Sequence, residues 1–308
     1  MTRAAVDDVD RRDRCRIPFA DMTSTIARAD RVCRRVNRQH GVTYYVAAQL
    51  LDRTQRRHVH ALYALCRRAD DLVDTVELAQ VRRERLAAFR SDFDAALDGH
   101  ERSGGAPATD PVLAAAARTI VEFRLDRSLF DRFFAAMEAD LSTTGYDTWP
   151  DLLGYMDGSA AVIGEMLLPI LDPTDPSAAL EPARHLGVAF QLTNFLRDID
   201  VDLDLGRRYL PRDDLERFAV DLDRREVTSE FVDLMRFEID RCRALYAAAG
   251  DGLAYLPVRS RRCVGTALVA YREILDRIER NGYDVFSQRA TVPTGRKLRI
   301  AAGVYLRP

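Results

Sequence analysis

Two short acidic runs constrain this chain more than any other feature. The first is Asp70-Asp71-Leu72-Val73-Asp74. The second is Asn194-Phe195-Leu196-Arg197-Asp198-Ile199-Asp200-Val201-Asp202. In each, the oxygen-bearing residues stand four apart: Asp70 and Asp74, then Asn194, Asp198 and Asp202. Four residues is about one helical turn, so these side chains stack on one face with about 6 Å of rise between neighbours. Stacked carboxylates with no cation repel. A set of such oxygens suits a hard divalent cation such as Mg²⁺, which binds carboxylates together with substrate phosphates. Two such walls facing one cavity would hold a diphosphate between them.

The neighbours sharpen the pattern. With Tyr63 as the zero of a helix, Arg67 falls at about 40°, Asp70 at about −20° and Asp74 at about 20°. Asp71, at about 80°, is marginal. Gln191, Asn194, Asp198 and Asp202 fall at about 0°, −60°, −20° and 20° in turn. Asp200 and Asp204 point away, toward solvent or arginine partners. A solvated, salt-bridged face is the competing reading of any lone pair of acids. Against it, both stripes carry Tyr, Asn or Gln and lie beside the apolar runs 59–65 and 186–192.

Composition narrows the class. The chain has 308 residues, 47% hydrophobic and 31% charged, enough for a globular protein with an ample core. A net charge of −2 gives no reason to expect nucleic acid. The cysteines (Cys15, Cys33, Cys66, Cys242, Cys263) are odd in number and lack CxxC spacing, which suits a reducing cytosol with neither disulfides nor zinc. Cytoplasmic location is therefore expected. No apolar run approaches the roughly 20 residues that span a bilayer. The longest, 160–171, contains Glu165 and Pro169. The charged N-terminus is no signal peptide. Arginine supplies almost all the basic residues, and Lys297 is the only lysine.

Helical periodicity runs through the chain, and no stretch alternates at period two over a useful length. Residues 1–21 read as a flexible segment, 22–290 as one domain and 291–308 as a basic tail. Helices are expected over 23–40, 54–76 (with Thr54 as N-cap), 78–97, 112–123, 128–141, 149–171, 178–201, 229–249 and 259–280. Residues 43–51 form a short apolar segment and 99–111 the clearest loop. The fold class is all-α, one domain, with helices around a central cavity. Residues 155–164 place glycine and alanine inside a helix, where either a second helix or a ligand can approach closely. Tyr44, Tyr45 and Tyr271 likewise read as core packing or as aromatic walls for a cation.

The runs Tyr63-Ala64-Leu65-Cys66-Arg67-Arg68-Ala69-Asp70-Asp71-Leu72-Val73-Asp74 and Gln191-Leu192-Thr193-Asn194-Phe195-Leu196-Arg197-Asp198 resemble the two signature motifs of the squalene/phytoene synthase family. So does Gly206-Arg207-Arg208-Tyr209-Leu210-Pro211. Further matches are the segments 40–45, 155–164 and 271–275, so the resemblance runs over residues 40–289. The stretch Gly158-Ser159-Ala160-Ala161-Val162-Ile163-Gly164 and the following Met166-Leu167-Leu168-Pro169 are most similar to bacterial phytoene synthases.

The resemblance implies an isoprenoid synthase fold and a Mg²⁺-dependent head-to-head prenyl transferase, with Mn²⁺ as an alternative ion. Two geranylgeranyl diphosphates would condense through a cyclopropylcarbinyl diphosphate to phytoene, with no NADPH. By the same resemblance, Asp70, Asp74, Asn194, Asp198 and Asp202 hold the metal. His40, Arg67, Arg197 and Arg207 contact diphosphate, Gln191 lies beside them, and Tyr63, Tyr209 and Tyr271 lie near the reacting carbons. Tyr44, Tyr155, Ala160, Ile163, Gly164 and Leu167 line a prenyl tunnel, and Asp140 faces the same cavity. The chain departs from the pattern at Val201, where members often carry an acid, and at Ser159-Ala160-Ala161, where many have Val-Ala-Gly. Two alternatives stay open: a squalene or dehydrosqualene synthase using farnesyl diphosphate, and a non-catalytic scaffold. Substrate and product are long hydrocarbons, so loose membrane contact is expected. The basic residues 289–308 are read either as an interfacial helix or as a helix capping the domain. Oligomeric state is left open.

Overall fold

The computed structural model of the chain describes residues 19–75, 77–103 and 109–306. Among them the structure is helical throughout, with one isolated parallel bridge between Gly145 and Arg208 in place of any strand. The helices are α1 (Phe19–His40), α2 (Val42–Ala48), α3 (Arg53–Val73), α4 (Ala79–Ser103), α5 (Pro111–Phe123), α6 (Arg127–Ala139), α7 (Trp149–Met156), α8 (Val162–Leu171), α9 (Pro176–Arg197), α10 (Ile199–Asp204), α11 (Arg212–Arg217), α12 (Ser229–Asp251), α13 (Val258–Arg280) and α14 (Thr294–Leu306). The expected all-α class holds.

Side-chain caps set the starts of α3, α5, α6, α7, α9 and α12. Asp110 accepts from the N–H groups of Val112 and Leu113, and Pro111 opens α5 with its φ already helical. Asp175 and Pro176 repeat the device at α9, and Thr148 with Asp151 forms a capping box at α7. The expected Thr54 cap is corrected. Asp52 caps α3 instead, accepting from Gln55 N–H at 2.9 Å, because its carboxylate stands two residues earlier, just before the first helical residue Arg53. The expected loop 99–111 is also shorter: α4 continues through Gly99 to Ser103, Pro111 already belongs to α5, and residues 104–108 lie outside the described part. Residues 1–18 and Val76 lie outside it too.

Two long expected helices bend. Residues 149–171 split into α7, one π turn (Asp157–Ala161) and α8. An extra residue per turn is tolerated where side chains are small, as at Gly158, Ser159, Ala160 and Ala161. Arg132 of α6 and Arg184 of α9 both grip Asp157 and Glu165, which flank the π turn. Residues 178–201 bend at Asp198, between α9 and α10.

The main core joins α3 to α5, α6, α9, α12 and α13 and buries Leu62, Leu65, Phe93, Phe130, Phe133, Met156, Met166, Phe231 and Tyr246. A smaller cluster under α2 holds Ala47, Ala48, Leu51, Leu168, Cys263 and Ala267. Backbones meet between α9 and the π turn: a Cβ on Gly187 would run into the carbonyl oxygen of Ala160, and one on Gly164 into that of Ala183. Cys33, Cys66, Cys242 and Cys263 are buried free thiols. No described helix is long and apolar enough to cross a membrane.

Candidate active site

Both acidic runs sit where a helix ends. Asp74 terminates α3 (φ −93°, ψ 12°), and its N–H still reaches Asp70 O at 3.0 Å. Asp198 terminates α9 (φ −107°, ψ 16°). The ladder continues through the bend, with Asp198 N–H on Asn194 O and Asp202 N–H on Asp198 O, both at 2.9 Å. One-turn stacking of the oxygen ligands therefore survives the change of helix. A carboxylate at a helix C-terminus faces the negative end of the macrodipole, so each run calls for a cation.

Arginines answer part of that call. Buried Arg207 donates to Asp74 at 2.6 Å, to the Val73 carbonyl at 2.9 Å and to the Asp140 carbonyl at 3.5 Å. One guanidinium thus ties the ends of α3 and α6 together. Asp198 is gripped by Arg197 (2.8 and 2.5 Å) and by Arg289 (2.7 Å twice). Burial alone would raise this carboxyl, but these bonds outweigh it and hold Asp198 below the usual range. Arg67 turns to Asp71 at 2.5 Å. Arg225 takes Asp200 and Asp204, as their outward helical angles predict.

Asp70 and Asp202 carry no arginine. Burial, with Asp74 beside it, pushes Asp70 up to about 7. Burial, with Asp198 beside it, pushes Asp202 up to about 8. Asn194 Oδ1 is buried without a hydrogen-bond partner, although its amide approaches Gln191 at 3.5 Å. As arranged, no three acidic, His or Cys side chains among the described residues enclose a point where an ion would sit. Arg207 and Arg289 hold two of the proposed ligands. The donor set still fits a hard cation: buried carboxylates short of positive charge and an amide oxygen with nothing to accept from.

Two groups of aromatic rings flank the acids. Tyr44 lies 5.8 Å from Tyr63, 5.7 Å from Phe190 and 5.2 Å from Tyr271, and Phe190 lies 4.5 Å from Tyr271. The second group surrounds Asp140, which accepts from Tyr155 at 2.6 Å and Tyr209 at 3.3 Å. Phe195 stacks on Tyr209 at 3.9 Å, and Tyr146 lies 5.2 Å from Tyr155. Burial holds these phenols above their ordinary value, so near neutral pH they are uncharged, and their rings form an aromatic lining of the kind that stabilises a cation.

The structure thus brings Asp70, Asp74, Asp140, Asn194, Asp198, Asp202, Arg197, Arg207 and the tyrosines to one end of the bundle. His40 is exposed at the end of α1, next to Gly41, where a Cβ would run into the Tyr63 ring. Ala160 and Gly164 meet the α9 backbone, while Ile163 and Leu167 are half-buried against the core. Sequence reading missed Tyr146, whose buried hydroxyl lacks a partner, together with Phe190, Phe195 and Arg289. Phe195 lay inside the second acidic run and could have been marked. Arg289, one arginine among many, gave no local signal.

The squalene/phytoene synthase family model matches residues 37–296. The phytoene synthase of Arthrospira platensis is 37% identical over 87% of this chain and 89% of its own length. The 15-cis-phytoene synthase of Synechocystis is 35% identical over 94% and 88%. Among solved structures, a dehydrosqualene synthase with bound ligand superposes with a TM-score of 0.80 at 29% identity, covering 94% of this chain and 98% of that one. The squalene synthase HpnC of Alicyclobacillus acidocaldarius gives 0.74 at 31% identity, over 87% and 97%. By fold, by the order of its motifs and by these likenesses, the chain belongs to the squalene/phytoene synthase family and is a prenyltransferase.

Proposed function

We propose that this chain joins two geranylgeranyl diphosphates head to head to make phytoene for carotenoid synthesis. The donor loses diphosphate, and its allylic cation is attacked by the acceptor's double bond. A proton is lost as the ring closes to a cyclopropylcarbinyl diphosphate. A second loss of diphosphate, rearrangement and loss of another proton give the C40 product, with no reductant consumed. The observation that carries this reading is the meeting of buried, under-compensated carboxylates with Arg207 and two aromatic groups at one end of an apolar bundle. The likeness to named phytoene synthases supports the choice of product.

Asp70, Asp74, Asn194, Asp198 and Asp202 would hold Mg²⁺, or Mn²⁺ in its place. Bound there, the ion would neutralise the diphosphate and make it a better leaving group. Arg207, with Arg67 and His40, would stabilise the charge that develops on the departing oxygens. Tyr44, Tyr63 and Tyr271 on one side, and Tyr155 and Tyr209 on the other, would face the cations with ring surfaces. Asp140 keeps the Tyr155 and Tyr209 hydroxyls aimed and would receive a proton passed through them. Leu167, Ile163, Ala160 and Gly164 would border the prenyl chains.

Farnesyl diphosphate is the second substrate to weigh, because the chain also resembles a dehydrosqualene synthase closely in structure. Purified protein with Mg²⁺ should convert geranylgeranyl diphosphate to a C40 hydrocarbon without NADPH, read by mass. A C30 product formed in preference would transfer the reading to the shorter substrate. No product from either, with the fold intact, would sink it.

A further inference from the structure

Of the basic C-terminal residues, the obvious lipid-facing candidates in the sequence, three turn inward and Arg299 stays exposed. Arg289 holds Asp198, Arg296 holds Glu273 at 2.7 Å, and Lys297 is half-buried beside Arg197. Ile300 is buried, so α14 caps the domain against α13 and α2. A different cationic surface is left free.

Arg28, Arg31, Arg35 and Arg38 of α1 are exposed, and among the described residues their side chains make no ion pair or hydrogen bond. Their spacing puts them within about 80° of one another and spreads them along about 15 Å of helix. The acid among them, Asp30, points the other way and is spent on Arg118 at 2.5 Å. Several arginines elsewhere are committed, Arg132 and Arg184 to Asp157 and Glu165, and Arg243 to Asp276 and Glu279, and those left unpaired, such as Arg124 and Arg272, do not form a row of four on one helix face. Four like charges on one helical face repel one another. In a chain of net charge −2 the stripe is a local excess, not a reflection of the whole.

Apolar side chains lie nearby. α2 packs between α1 and α14, and α14 exposes Leu298 (55%), Tyr305 (55%) and Leu306 (80%). A cationic stripe close to exposed leucine and tyrosine suits the headgroup boundary of an anionic bilayer. No exposed aromatic interleaves the arginines, as stacking on nucleic acid bases would need. We infer that the Arg28–Arg38 face of α1, aided by the apolar side chains of α14, docks this enzyme on an anionic phospholipid bilayer. The reason for docking rests on the proposed function, since a C40 hydrocarbon has no stable place in water. The docking itself can be measured without turnover.

The test is sedimentation of the full chain with phosphatidylcholine vesicles, with and without phosphatidylglycerol, and no substrate. Wild type should partition onto the anionic vesicles and release as salt rises. Replacing Arg31→Gln, Arg35→Gln and Arg38→Gln together should weaken that partition about 100-fold, at roughly fivefold per arginine. Turnover of detergent-dispersed substrate and the circular dichroism spectrum should not change. Leu298→Ser with Leu306→Ser should weaken binding to the same vesicles further. Equal partition of wild type and triple variant would overturn the inference. So would equal binding of wild type to neutral vesicles, or tighter binding to single-stranded RNA than to any vesicle.

Discussion

Asp202 shows how one residue serves two ends. It stands half-buried among Asp74, Asp140 and Asp198, with no arginine of its own. Such an arrangement opposes folding and favours a cation, so stability and function pull against each other there. Asp202→Asn removes one charge from the cluster and one ligand from the proposed ion site. Turnover at saturating Mg²⁺ should fall by about 10²-fold or more. The melting temperature without divalent ions should hold or rise. A variant that melts lower yet keeps turnover would mean that Asp202 is structural. Helical spacing made Asp70, Asp74, Asn194, Asp198 and Asp202 legible, because a one-turn repeat is a local property of the chain. Arg289 and Tyr146 were not legible. Arg289 reaches Asp198 across 91 residues, and Tyr146 meets Tyr209 across a loop held by the Gly145–Arg208 bridge.

At the scale of elements, the clearest revision concerns where α3 begins. Asp52→Ala should cost about 1 kcal/mol in urea unfolding, whereas Thr54→Ala should be nearly neutral. The reverse order would restore Thr54 as the cap. The acidic end of α3 lies about 30 Å from this cap, so neither variant should change kcat. The long helices were readable from apolar spacing, whereas the short α2 and α11 were not. Nor were the bends. The π turn at Asp157–Ala161 depends on two arginines from α6 and α9, and the bend at Asp198 coincides with the grip of Arg197 and Arg289. Residues 155–164 left helix packing and ligand approach equally open. The α9 backbone pressed against Gly164 and Ala160 assigns much of that smallness to packing.

For the whole molecule, stability should depend on pH through groups far from the acidic runs as well as through Asp70 and Asp202. Glu238 is fully buried in α12 and shares Arg241 with buried Asp214, at 2.9 and 2.8 Å. One guanidinium cannot neutralise two carboxylates. Burial, only partly offset by Arg241 and reinforced by Asp214, pushes Glu238 up to about 8. Its folded value lies above its unfolded one, so its contribution is complete below about 4.5 and is lost as pH rises through about 8. Burial lowers His58 and His60 to about 4, so theirs is complete above about 6.5 and is lost as pH falls toward 4. Wild type should therefore melt highest near pH 6 and lose stability by pH 9. Glu238→Gln should flatten the alkaline side of that profile and leave the acid side alone, as read by thermal melts from pH 5 to 9. An unchanged alkaline limb would mean that Glu238 is already ionised at neutral pH. By itself the sequence determined the all-α class, the two acidic runs and the family, since these follow from residues close together along the chain. Only the tertiary structure decided which cations sit on which acids, and that Arg289, Arg296 and Lys297 turn inward while the α1 arginines stay free. Charge pairing is settled by distance in space, and residues 91 apart in the chain carry no mark of being neighbours.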